Sequence, residues 1–276
     1  MNGGAPRTWQ QRIAWRLTVI LSALVLFFLM APILAILPLS FSSGSYLTYP
    51  LPGLSLRWYE EFFTAPRWTS ALRNSVIIGI ASTVLATVLG SLAAFGLARW
   101  RSRLKPIVLA VVLSPMIVPV VITAVGLYFF FAPLGLTASH AGLILAHTAL
   151  AAPFVVITVS ATLQGFDMNL LRAASSLGAS PLTAFRRVVL PLILPGVASG
   201  ALFAFATSFD EVVTVLLLAG PEQRTLPREM FSGIRENISP TITAAAVILT
   251  LLSVGLLVAM EGLRRRSERL RGLVPR

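Results

Sequence analysis

Two acids stand side by side in an apolar stretch. Ser208-Phe209-Asp210-Glu211 interrupts a run from about Leu192 to Ala219 that is otherwise long enough to cross a membrane. An ionisable side chain near the centre of a span costs about 2.5–3.5 kcal/mol on insertion scales, so such groups face a cavity, a pathway or a partner. From Pro195 to Asp210 a helix advances about 22 Å. That places the acids in the outer part of the span, where snorkelling to the interface is the competing arrangement. The chemistry on offer is recognition of a positive charge, not bond making. Adjacent helical positions differ by about 100°, so Asp210 and Glu211 cannot both face one narrow cavity. One is expected to face it and the other a neighbouring helix or the outer surface. Ser208 and Phe209 complete this candidate pathway set.

Other chemistries find little support. Lys105 is the only lysine, and Pro106 follows it, not Ser or Thr after a glycine-rich run. The chain therefore has no Walker A loop, and ATP, if it drives anything here, is bound by another chain. His140 and His147 are seven residues apart and can share a helix face, but a metal site or proton relay needs more ligands than these two. No Ser/His/Asp arrangement stands out, so intramembrane hydrolysis is disfavoured and the chain is not expected to be an enzyme.

The elements that position these residues are membrane helices. Of 276 residues, 56% are hydrophobic and 12% charged, and the mean hydropathy is +0.85. A soluble domain carries about 25% charged residues, so most of this chain belongs in lipid. The net charge is +12, but the basic residues flank apolar runs in short clusters. Orientation in the membrane accounts for them better than nucleic acid does. There is no cysteine, which excludes disulfides and thiolate metal sites.

Six spans are expected: Leu17–Leu39, Asn74–Ala98, Pro106–Ala132 kinked by Pro115 and Pro119, His140–Leu163 interrupted by Pro153, Leu192–Ala219, and Ser239–Met260. Between the first two, Ser55 to Phe63 reads as an interfacial amphipathic helix anchored by Trp58, Tyr59, Phe62 and Phe63. Residues 220–238 read as a polar outer segment. Most Lys and Arg, including Arg99 to Lys105 and Arg264 to Arg266, then fall on one side, which puts both termini inside. Gly196 and Gly200 have the spacing that lets helices pack closely. Leu273-Val-Pro-Arg276 reads as the remnant of a thrombin-type tag site.

The most polar run between spans is Asp167 to Pro195. Asp167 or Asn169 can cap a helix on which Leu170, Ala173, Ala174 and Leu177 share one face. Gly178 sits where that helix stops. Ser180 and Pro181 start a second helix with Phe185, Val188 and Val189 on its apolar side and Arg186 and Arg187 beside them. The result is helix, break, helix, with small residues that let another backbone approach.

This stretch resembles the cytoplasmic EAA loop of ABC importer permeases. That pattern is Glu-Ala-Ala, three residues, Gly, nine residues, a branched aliphatic, one residue and Leu-Pro. Here Arg172-Ala173-Ala174, Gly178, Val188 and Leu190-Pro191 fall at that spacing, with Arg172 in place of the motif's Glu. The stretches SFDEVVTVLLLAGP at 208–221 and TLPREMFSGIRENISPTI at 225–242 resemble the spermidine/putrescine branch. The resemblance implies an all-α, type I importer permease of MetI-like fold in the bacterial inner membrane. The resemblance covers about residues 60–262 and places the coupling loop at about 164–191; hydropathy and charge give a cytoplasmic segment at 1–16, a permease domain at 17–262 and a basic tail at 263–272. The resemblance implies that Leu170, Arg172, Ala173, Ala174, Leu177, Gly178, Ala179, Pro181 and Phe185 dock an ATPase. Implied partners are a second permease chain, two ATP-binding cassette subunits holding ATP and Mg, and a periplasmic binding protein. The expected solute is a polyamine. Ferric iron, an opine or an amino-acid derivative stay open as substrates, as does an independent secondary transporter.

Overall fold

A computed structural model describes residues 8–167, 169–236 and 238–270. The described residues are mostly helical, with one isolated β-bridge between Ser42 and Leu54. The tag-like segment 273–276 lies outside them. The chain forms two compact units. One comprises the chain up to Phe62 and the stretch ending at Leu249. The other comprises Phe63–Glu236 and the chain from Thr250.

In the first unit, helix α1 (Trp9–Leu39) starts at a capping box. Thr8 Oγ1 accepts the Gln11 N–H, and the Gln11 side chain accepts the Thr8 N–H. None of its residues is buried, as fits an apolar helix whose solvent is lipid. The following loop folds on itself. Ser55 donates to the Phe41 carbonyl at 2.7 Å and Ser43 to that of Gly53 at 3.0 Å. Helix α2 (Arg57–Thr64) is the expected amphipathic segment. Its Trp58 is buried and donates from Nε1 to the Ser42 carbonyl at 2.7 Å, and Tyr59 Oη pairs with Ser40 Oγ at 2.7 Å.

The second unit is built on three long helices: α3 (Pro66–Arg99), α6 (His140–Gln164) and α9 (Leu190–Phe209). Ala86 and Ala94 of α3, Ala151, Val155 and Val159 of α6, and Ile193 and Ala204 of α9 form one buried cluster. Small residues let the axes approach. A Cβ on Gly196 would collide with Thr162 Oγ1, and one on Gly200 would stand 2.5 Å from Thr158 Oγ1. The expected close-packing role of this pair is therefore met between α9 and α6. A second cluster joins Ile78, Phe131, Leu143, Ala146, Val215 and Leu218.

Two expected spans are built differently. Pro106–Ala132 is not one kinked helix. It is α4 (Lys105–Ile117) and α5 (Val120–Phe131), bent by 108° at Val118-Pro119. The residue before proline is pushed out of the α region, and Val118 is extended at ψ 133°. The fifth span does not continue to Ala219. α9 ends at Phe209, and a separate short helix, α10 (Val213–Leu218), follows. The polar segment after it carries an amphipathic helix, α11 (Leu226–Glu236), before the last span in α12 (Pro240–Leu270). Five described helices are long and apolar enough to cross a membrane, or six where the bent pair counts as one broken span.

Candidate functional site

Between α6 and α9 the chain makes the helix-break-helix that its sequence dictates. Helix α7 (Asn169–Ser176) is capped by Asp167, whose Oδ1 accepts the Asn169 N–H at 2.9 Å. It ends at Gly178 with φ +79°. The Ala179 N–H returns to the Ala174 carbonyl and the Gly178 N–H to that of Ser175, both at 3.0 Å. This is a Schellman stop, which satisfies the last carbonyls and needs a left-handed residue. Ser180 Oγ then accepts the Thr183 N–H, with Pro181 opening helix α8 (Pro181–Ala184). A π-helical turn over Phe185–Val189 carries α8 into α9 without a break.

The loop buries its root and exposes its tip. Ala184 and Val189 are buried, and Phe185 meets Phe95 of α3 edge-on at 5.5 Å. No residue of α7 is buried. Leu170, Ala173, Leu177 and Pro181 are exposed, and Ala174 and Ala179 are half-buried. Leu177 is 88% exposed. Arg172 is exposed and reaches only Asn169, at 3.3 Å.

The second group lies where α9 ends. Ser208 is buried among three helices. Ser82 Oγ of α3 donates to Ser208 Oγ at 2.8 Å, and Ser208 Oγ lies 2.8 Å from His147 Nδ1 of α6. Phe209 is also buried, stacked on Phe205 at 5.1 Å. The two acids differ. Glu211 is half-buried and its Oε1 accepts the Thr214 N–H at 2.8 Å, capping α10. Asp210 ends α9 and is exposed, and among the described residues no side chain pairs with its carboxylate. The geometry thus separates neighbours that the sequence left equivalent.

A third polar group was not anticipated. Glu229 of α11 is 5% exposed and bonds Arg67 at 3.2 Å and Arg224 at 3.5 Å. Arg228 donates to the Ala219 and Gly220 carbonyls. Burial, then the nearby Arg224, lower the pKa of Arg228, while Glu229 pulls it back. Asn74 Nδ2 donates to the Glu222 and Arg224 carbonyls, and its Oδ1 lies 3.0 Å from His140 Nε2. These bonds tie the 220–229 segment to α3, and Asn74 links α3 in turn to His140 at the start of α6. The signal in the sequence was an asparagine at the start of a span and a Glu three residues after Leu226.

Residues 86–270 match the family of binding-protein-dependent transport system inner membrane components. The chain belongs to that family. This permease is 35% identical over 242 residues to the spermidine/putrescine transport system permease protein PotC of Haemophilus influenzae, covering 87% of this chain and 93% of that protein. It is 34% identical to the putrescine transport system permease protein PotI of Escherichia coli over 245 residues, 86% of each chain. It is also 34% identical to the molybdenum transport system permease protein ModB of Mycobacterium bovis over 234 residues, 78% of this chain and 88% of that one. Among solved structures, it superposes on a chain of a bacterial alginate ABC importer with TM-score 0.72 at 14% identity, covering 95% of this permease and 99% of that chain. The MetNI methionine ABC transporter matches at TM-score 0.54 and 19% identity, over 74% and 99%. The permease therefore has the fold of ABC importer permeases, and it is a multi-pass component of the inner membrane.

Proposed function

We propose that this permease forms half of the translocation pathway for a small cationic solute of the polyamine class. ATP hydrolysis on two cassette subunits drives the transport. The α7–α8 loop seats on one cassette subunit, using Leu170, Arg172, Ala173, Ala174, Leu177, Gly178, Ala179, Pro181 and Phe185. A second permease chain forms the other half of the pathway, and a periplasmic binding protein delivers the solute. Both termini and the Arg99–Lys105 turn lie in the cytoplasm. ATP and Mg belong to the cassette subunits; this chain supplies no catalytic group.

The exposed Asp210 carries the assignment of charge. A polyamine is a chain of ammonium groups, and their removal from water is costly unless anions replace it. Asp210 is an acid at the end of a span with no partner of its own among the described residues. Ser208 and Phe209 hold the end of α9 in place, and Glu211 shapes the turn that follows. The names of PotC and PotI point to the same solute class, whereas ModB, at like identity, is named for molybdenum transport. Identity alone does not choose between them; the negative charge of the exposed Asp210 supports the cationic solute.

The test is uptake by the assembled transporter in vesicles, with putrescine, spermidine and molybdate as substrates. Asp210→Asn should lower uptake of the polyamine about tenfold, equivalent to 1.4 kcal/mol, with assembly unchanged. Wild-type polyamine uptake by that variant, or molybdate uptake by the unchanged protein, overturns the reading.

A further inference from the structure

A cavity of about 420 Å³ lies between the end of α3, the start of α4 and the end of α6. Along α4 it is lined by Lys105, Leu109 and Leu113, and along α6 by Val156 through Gln164. Each helix contributes eight residues of length, about 12 Å. α4 begins at the end of the slot where α6 finishes, so the two helices give it the same polarity gradient. Lys105 and Gln164 stand at one end, and Leu113 and Val156 at the other. Lys105 is half-buried, Leu109 and Leu113 are half-buried, and Val156 is buried. No Asp or Glu lines the slot.

Lys105 closes the run Arg99, Arg101, Arg103, Lys105, which follows the 34-residue helix α3 directly. This is the level at which a crossing helix leaves the hydrocarbon and basic side chains meet headgroups. A slot that is cationic at the headgroup level and apolar below has the pattern of an anionic amphiphile. We propose that it is a binding site for an anionic phospholipid. One acyl chain lies along Leu109, Leu113 and Val156. A phosphate oxygen takes the Lys105 ammonium, and Gln164 donates beside it. A soluble anion would use Lys105 but leave the apolar floor empty. A neutral lipid would fill the floor but leave the ammonium unpaired.

Native mass spectrometry of the full chain, extracted from vesicles of equal phosphatidylglycerol and phosphatidylethanolamine, tests this. The unchanged protein should retain phosphatidylglycerol in preference. Lys105→Gln should cut that preference about fivefold, matching the roughly 1 kcal/mol one basic residue contributes at a membrane surface. Lys105→Arg should keep it. Leu109→Trp fills the slot and should reduce retention of both lipids. Inorganic phosphate at millimolar concentration should not displace the lipid. Equal retention of the two lipids by the unchanged protein overturns the proposal. So does a Lys105→Gln protein that matches Lys105→Arg, and that pair decides the matter even if Leu109→Trp does not accumulate.

Discussion

Gly178 offers a way to separate shape from contact. Its φ of +79° lies in the left-handed region, and a Cβ built there would meet no atom within 4 Å. Within this chain, alanine at 178 therefore costs only the left-handed penalty, about 1–2 kcal/mol. A penalty of that size lowers the population of the native turn roughly 5–30-fold. Asparagine accepts the same region with less strain, so Gly178→Asn should be milder than Gly178→Ala. Gly178→Trp carries alanine's backbone penalty and adds bulk at an exposed position whose Cβ meets no atom of this chain within 4 Å. Any loss beyond alanine's must then arise on the surface of a partner. The assay is uptake and ATP hydrolysis by the assembled transporter in the same proteoliposomes, with permease content as the control. Gly178→Trp should leave hydrolysis running while solute carried per ATP falls well below the alanine value. Equal coupling in the tryptophan and alanine proteins would refute the docking surface, and wild-type coupling in both would refute the role of the turn as well.

Topology can be read in this cysteine-free chain from single cysteines and an impermeant maleimide. Ser45→Cys and Glu222→Cys should react from outside and Arg103→Cys should not; the reverse pattern overturns the assigned orientation. Gln223, buried next to Glu222, should react slowly from either side. Glu211→Ala removes the cap of α10 and should cost about 0.5–2 kcal/mol, seen as a lower unfolding temperature in detergent. Glu211→Gln keeps an acceptor and should leave both stability and uptake near the wild-type level, in contrast to Asp210→Asn. Gly200→Ala places a Cβ 2.5 Å from Thr158 Oγ1 and 2.9 Å from Val155 Cα. It should destabilise by about 1–3 kcal/mol through overpacking. Gly96→Ala, which meets nothing within 4 Å, should not; equal melting of the two proteins would remove the close α6–α9 approach as a stability determinant.

Much of the α7–α8 loop was legible because its signals are local. Asp167, Gly178, Ser180 and Pro181 each act on backbone groups within a few residues, so their types and spacing were enough. The spans were legible from length and apolarity. Where they break was not. Pro119 is expected as a kink because proline in a span is often tolerated; the same residue pushes Val118 out of the α region, but that local rule does not say how far the chain turns. The end of α9 was hidden because Val212 to Ala219 is as apolar as the helix before it. The divergence of Asp210 and Glu211 turns on a single hydrogen bond to Thr214, which no periodicity announces. The Ser82–Ser208–His147 group joins three helices far apart in the chain. Its only sequence trace was a scatter of polar residues in apolar runs.

The π turn at Phe185–Val189 has a mechanical consequence. Leu190 N–H reaches back five residues to the Phe185 carbonyl, so this turn holds one residue more than an α-helix would place there. One residue is about 100° of rotation. The turn thus sets the angle between the α7–α8 crank and the stripe of Ile193, Gly196, Gly200 and Ala204 by which α9 sits in its bearing. Shortening it by one residue would leave the crank and the shaft chemically intact but about a third of a revolution out of phase. The number of residues between Ala184 and Leu190, more than their identity, then sets which way the α7–α8 loop faces relative to that stripe.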